Sequence, residues 1–446
     1  MTVTVSVLHL ARFDTLDSMA VSSPATPTPT RPRLSEDWAA VLIGVAVLIA
    51  VAAGFRPAIP PLKWDSLKSL SWLVAPAHLI NWTILGILSL VFTLVGIFRQ
   101  EVRLRAFVAG FPIVFALAIA AQMLAGSATA SAWGVEYVIF ALLLGLLPAN
   151  LGLVPDWLRE AARSEFYVKT GLVIMGATLL FQEIMQAGVL GIIQSVLVVS
   201  VVWYVTFRIV RRFHLDDEWA VMLSTAVSIC GVSAAIAACG AIQGDRRKLG
   251  YVTSTVLIVA VPMIVLQPWI ARWLQLSEPV AGAWIGGTLD TTGSVVAASA
   301  LLGETAMKIG TVVKFSQNVL IGVAAFFLSV WWAMRPQAGA ARADRPTVGV
   351  IWERFPKFVL GFLAASLVFS FFMDKDLVRE TKSTIGSLRT VWFAMGFVSI
   401  GLETRFGQLL GMEGGRPFFA FLGGQIFNIF WTLLLAWLVF GGALLS

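Results

Sequence analysis

Asp290 lies in the middle of WIGGTLDTTGSVVAASALL, residues 284–302, a run otherwise apolar enough to be buried in a bilayer. An ionised carboxylate at that depth costs at least about 2.5 to 3.5 kcal/mol, so such residues face protein or water and commonly serve transport. Gly282, Gly286, Asp290 and Ser294 recur every four residues and share one helical stripe, with Thr291, Thr292 and Gly293 beside it. The small residues allow close backbone approach or a break. The next segment carries Thr311, Lys314, Gln317, Asn318 and Gly322 at three- and four-residue spacing. Lys314 is the natural counter-charge. With a turn near 303–305, Asp290 lies roughly 20 Å and Lys314 roughly 13 Å from it, a difference a lysine stem can bridge. The chemistry offered is a substrate or proton site between adjacent helices; plain neutralisation of one charge by the other is the alternative.

A second candidate is SICGVSAAIAACG, residues 228–240. If its helix breaks at the glycine, unpaired backbone N–H groups at the N-terminal end attract anions, which makes Ser228, Cys230, Gly231 and Ser233 candidate anion contacts. Simple tightening of helix packing is the competing reading. Cys230 and Cys239 suggest neither a disulfide nor a metal pair, and no His belongs to a ligand-spaced cluster.

The elements that position these groups follow from composition. With 446 residues, 58% of them hydrophobic, 13% charged, and a mean hydropathy of +0.85, the chain reads as an all-α polytopic membrane protein. About thirteen apolar stretches have roughly spanning length, at 38–55, 78–98, 104–124, 133–149, 166–181, 187–210, 219–241, 250–276, 279–302, 306–334, 354–372, 386–402 and 417–445, giving 11–13 transmembrane segments. Residues 1–37, with the SSPATPTPTRPR run, are expected to form a disordered cytoplasmic tail rather than a signal peptide, with Met19 as an alternative start. Residues 38–446 form the transporter domain, with a long cytoplasmic loop at 335–353. The net charge of +7 reflects loop Lys and Arg that set orientation, not a nucleic-acid site.

With the tail inside and every segment crossing, inside connections hold about nineteen Lys plus Arg against about eleven outside. Arg246, Arg247 and Lys248 then face the wrong way, unless 219–241 dips in and returns and 279–302 is re-entrant as well. Segments starting near 187, 219 and 250 are followed by others near 354, 386 and 417, each 167 residues later, as in a 5+5 inverted repeat. This pairs 219–241 with 386–402, both glycine-interrupted. A competing local match joins CGVSAAIA to TGSVVAAS, 62 residues apart.

GLVIMGATLLFQEI (171–184), SICGVSAAIA (228–237), GGTLDTTGSVVAA (286–298), KFSQN (314–318) and FAMGFVSIGLETRF (393–406) together resemble the YeiH family, to which sulfate export is ascribed. The resemblance implies a fold related to cation-proton antiporters and bile-acid carriers, with an inverted repeat and two crossing broken helices. Many members of that family have a His-Glu pair and then Gln where this chain has Asp290, Thr291 and Ser294.

The expected function is a secondary transporter of a small anion by alternating access, with Asp290 taking up a proton, Lys314 supplying positive charge, and the 230 and 396 regions supplying backbone dipoles. A sodium-coupled organic-anion carrier, with Asp290, Thr291, Thr292 and Asn318 holding the cation, is the alternative. No H-E-x-x-H, P-loop or intramembrane Ser-His pair is found, so neither an enzyme nor ATP-driven transport is expected, and no cofactor. Expected partners are the lipid bilayer, a small anion, a proton or sodium ion, and, as in related folds, a second copy in a homodimer.

Overall fold

The computed structural model describes residues 34–441 except 58, 60–61, 67, 70, 72–74, 99, 101, 133–135, 335–348 and 407–412. The expected tail therefore lies outside the described residues up to position 33, as does 335–348 of the expected loop. Among the described residues fifteen helices of nine residues or more follow one another: α1 Glu36–Ala52, α2 Pro76–Ile97, α3 Leu104–Ala125, α4 Tyr137–Asn150, α5 Ser164–Gly176, α6 Phe181–Arg212, α7 Asp217–Ser228, α8 Val232–Ile242, α9 Arg246–Trp273, α10 Glu278–Thr288, α11 Thr292–Ala300, α12 Glu304–Ala333, α13 Lys357–Phe371, α14 Lys375–Glu403 and α15 Arg416–Phe440. Every one of the thirteen expected apolar stretches is matched by one helix or one broken pair. Among the described residues, seven helices (α2, α3, α6, α9, α12, α14 and α15) are long and apolar enough to cross a membrane. Pro262 and Pro268 lie inside the uninterrupted α9.

Two stretches fold back on themselves. Helix α7 starts on an Asp216 cap and ends at Ser228; Ile229 then takes φ −119°, and Gly231, at φ +59° and ψ −108°, begins α8. As one straight helix, 217–242 would separate its ends by about 38 Å. Instead, Lys248, just beyond α8, contacts Asp216 Oδ2 at 2.5 Å and Glu218 Oε2 at 3.1 Å, at the start of α7. The segment is a re-entrant hairpin.

The same holds for 278–300. The chain turns at Leu289 (ψ 135°) and Thr291 (ψ 148°), and Thr291 Oγ1 caps α11 by accepting from the Ser294 N–H at 3.1 Å. Beyond α11, the Thr305 and Ala306 N–H groups donate to Glu278 Oε2 at 3.1 and 3.3 Å, back at the start of α10. Helix α9, 28 residues and so about 42 Å long, runs from the base of the first hairpin to the base of the second. The hairpins therefore enter from opposite ends of the fold and meet tip to tip.

This arrangement selects between the sequence expectations. Residues Arg246–Lys248 fall on the same face as Arg211 and Arg212, because the first hairpin returns to the side it left. The 167-residue pairing is corrected: 386–402 lies within α14, which is unbroken from Lys375 to Glu403. The structural partner of the 229–231 break is the 289–291 break, as the 62-residue match suggests. The crossing geometry implied by the resemblance is corrected too, since each break reverses the chain.

The helices form two packed groups. Helices α6, α9, α12 and α15 surround the hairpins, while α1, α3–α5, α13 and α14 pack on one another. The second hairpin reaches across, with α11 touching α5 and α14. Glycines permit the tightest contacts: a Cβ on Gly286 would sit 2.5 Å from the Gly310 carbonyl oxygen of α12. Trp82 and Trp219 are buried in the core, whereas Trp38 and Trp352 are exposed.

Candidate functional site

A reversal in the middle of a hairpin leaves carbonyls free at the end of its first helix and N–H groups free at the start of its second. The carbonyl ends are capped by side chains from two flanking helices. From α12, Lys314 Nζ donates to the Ile229 carbonyl at 2.5 Å, and Gln317 Nε2 donates to Gly287 at 3.0 Å and Ser228 at 3.5 Å. From α15, Asn428 Nδ2 donates to Val227 at 3.1 Å and Thr288 at 3.3 Å, and Gln425 Nε2 donates to Thr288 at 2.9 Å. Gln317 and Asn428 each hold both hairpins, so the two tips are tied together.

Of the two N-terminal ends, that of α8 has no side-chain cap, while that of α11 is capped by Thr291. Cys230 and Ser233, at the start of α8, and Thr292, at the start of α11, line a cavity of about 80 Å³ together with Asn318, Lys169 and Glu165. It lies between the two helix groups. Asp37, Ser233, Ile321 and Arg354 also line a larger vestibule of about 1030 Å³ on the face that carries Glu36, Trp352 and Lys357.

The structure gathers the sequence candidates at the tips. Asp290 is 1% exposed, and a Cβ on Gly231 would lie 2.9 Å from its own Cβ. Neither carboxylate oxygen of Asp290 has a hydrogen-bond partner, and Asn318 Oδ1 and Ser228 Oγ are likewise buried and unpartnered. Thr291 Oγ1 lies 2.7 Å from Ser294 Oγ, and Thr292 Oγ1 accepts from Asn318 Nδ2 at 3.2 Å. Ser233 is set apart: it is exposed and lines the approach rather than the tip contact.

Two expectations are corrected. Lys314 forms no ion pair with Asp290; its ammonium is engaged by the Ile229 carbonyl and by Gln317 Oε1 at 2.9 Å. The 396 region contributes no free backbone dipole, because Gly396 lies inside α14.

Several contributors escaped the sequence reading. Gln425 and Asn428 stand three residues apart in an apolar run, the same signal that exposed the α12 stripe. Lys169 is a lone cation in a short apolar helix, held by Asp37 at 3.0 Å, Glu36 at 3.2 Å and Glu165 at 3.7 Å. Two of these partners are remote in sequence, so spacing could not reveal them. Among the described residues no group of three or more His, Cys, Asp or Glu side chains is placed to hold a metal ion.

The conserved hypothetical protein 698 family matches residues 109–420. A UPF0324 membrane protein of Rhodopirellula baltica is 36% identical over 396 residues, covering 85% of this chain and 72% of the relative. One from Nitratidesulfovibrio vulgaris is 36% identical over 348 residues, covering 75% and 59%, so this chain spans less than two thirds of that relative's length. One from Nitrosomonas europaea is 27% identical over 447 residues, covering 85% and 90%. No solved structure matches the chain.

Proposed function

The chain belongs to the YeiH or UPF0324 family of membrane proteins, and from that premise we propose that it is a secondary transporter of a small anion working by alternating access. The observation that carries this reading is the asymmetry at the tips. Four side chains cap the carbonyl ends of α7 and α10, while the N-terminal ends of α8 and α11 meet at a cavity between the helix groups. The open N-terminal end of α8 and the positive ends of both helices together suit an anion. Relative movement of the groups would carry that cavity from one face to the other.

Asp290 is the coupling group in this proposal. Ionised, it repels an anion at the tips; protonated, it does not, so uptake of a proton accompanies binding. In this reading the face bearing Arg211–Arg212 and Arg246–Lys248 is cytoplasmic, in keeping with the positive-inside tendency, and the membrane is the cell membrane. Neither a chemical reaction nor a cofactor is part of this reading.

The unpartnered Asp290, Asn318 and Ser228 oxygens favour a second reading, in which they hold a sodium ion that is co-transported with an organic anion. The test for both is flux of radiolabelled sulfate, and of a small dicarboxylate, into proteoliposomes with imposed pH or sodium gradients. Saturable flux with counterflow is expected. Flux that neither saturates nor shows counterflow would indicate a passive pore instead.

A further inference from the structure

Arg354 lies at the constriction between the vestibule and the inner cavity, lining both. It ends the short helix Gly349–Arg354, which is pressed onto α12 at Gly322, where a Cβ would meet the Ile351 carbonyl oxygen at 2.5 Å. Its Nη2 lies 3.0 Å from where a Cβ on Gly240 of α8 would stand. Arg354 is therefore fixed to the group of helices that bears the hairpin tips.

The charges around it are already engaged. Lys169 holds Glu36, Asp37 and Glu165, and Arg163 also binds Glu36 at 3.2 Å. Lys357 Nζ donates to the Trp352 and Phe355 carbonyls, closing the C-terminal end of the short helix. The Arg354 side chain has no hydrogen bond or ion pair among the described residues. A guanidinium remains charged at all working pH values and presents a planar fork that matches an oxyanion or carboxylate. Ser233, at the start of α8, lines the same two cavities.

We propose that Arg354 forms an entry subsite for the transported anion, holding it at the constriction before it reaches the tips of the hairpins. The inference rests on the transport reading. The guanidinium raises the local concentration of anions in a low-dielectric vestibule and thereby sets KM. The guanidinium lies about two helix turns, roughly 12 Å, from the N-terminal end of α8. Because the subsite is carried by the same helices as the tips, it moves with them.

The test is initial flux of sulfate, and in parallel of succinate, into proteoliposomes containing wild type, Arg354→Gln, Arg354→Lys or Gly322→Val. Arg354→Gln is expected to raise KM about tenfold with the maximal rate unchanged. Arg354→Lys should keep most of the wild-type KM. Gly322→Val, which displaces the short helix while keeping every charge, should reproduce the rise in KM and serves if Arg354→Gln fails to fold. Wild-type flux with an unchanged KM in Arg354→Gln, or in Gly322→Val where the first variant is lost, overturns the subsite and leaves the transport reading standing. Absence of saturable flux of either anion in wild type overturns both.

Discussion

The Lys314 ammonium donates to the Ile229 carbonyl at 2.5 Å, so the one lysine buried beside Asp290 serves the backbone of a hairpin rather than that carboxylate. The chain leaves helical geometry at Ile229, and a carbonyl there has no partner in its own helix. Lys314 satisfies it, and its fixed charge stays at the tips. Replacing it by methionine keeps the volume and strands a buried acceptor, at a cost of about 1 to 3 kcal/mol. Lys314→Met should lower the unfolding midpoint in detergent and abolish flux; a variant as stable as wild type would show that the contact contributes little.

Gly231 is required by conformation and by space. Its φ of +59° disfavours a side chain, and a Cβ would lie 2.5 Å from Val256 Cγ1 and 2.9 Å from Asp290 Cβ. Gly231→Ala is therefore expected to push the tips apart at a cost of about 2 kcal/mol or more. Alanine at Gly250, where a Cβ would meet nothing within 4 Å, is the matched control. Equal melting of the two variants would contradict tip-to-tip packing.

The hairpin geometry makes a side-specific forecast. With both native cysteines replaced by serine, single cysteines at Arg211, Arg247 and Gln275 should react with an impermeant maleimide from defined faces. Arg211 and Arg247 flank the first hairpin and should label from one side; Gln275, beyond α9, should label from the other. Labelling of Arg211 and Arg247 from opposite sides would mean that 217–242 crosses.

The sequence made the membrane class, the segments and most tip residues legible because burial of polar groups in apolar runs is costly, and such groups stand out by contrast. Asp290, Lys314, Gln317 and Asn318 were found in this way. Two features resisted. Apolar content cannot distinguish a hairpin from a crossing helix of equal length; only the displaced cluster Arg246–Lys248 hinted at the reversal of 217–242. Pairings such as Lys169 with Glu36, or Asn428 with Val227, join residues far apart in the chain and have no local signature. The 167-residue spacing misled because helices of similar length recur at similar intervals whether or not they are equivalent.

Asp290→Asn isolates the proposed coupling. In wild type, lowering the pH on the side of anion entry neutralises Asp290 and should lower KM, so apparent affinity falls as pH rises. The asparagine variant keeps the shape and remains uncharged, so its KM should be flat across the same range. A wild-type pH profile in the variant would place the coupling proton elsewhere; sodium-dependent flux lost in the variant would favour the cation reading.

The central claim is that the hairpin tips form the anion site and open to the basic face in this conformation. Cys230 reports on it directly, because it lies at the break of the first hairpin and lines the inner cavity. The measurement is the rate at which a small membrane-impermeant thiol reagent modifies Cys230 in oriented proteoliposomes of a Cys239→Ser protein, with and without saturating transported anion. The account predicts modification from the face bearing Arg246–Lys248, slowed severalfold by the anion and accompanied by loss of flux. Modification at the same rate with and without an anion that the protein transports would contradict it.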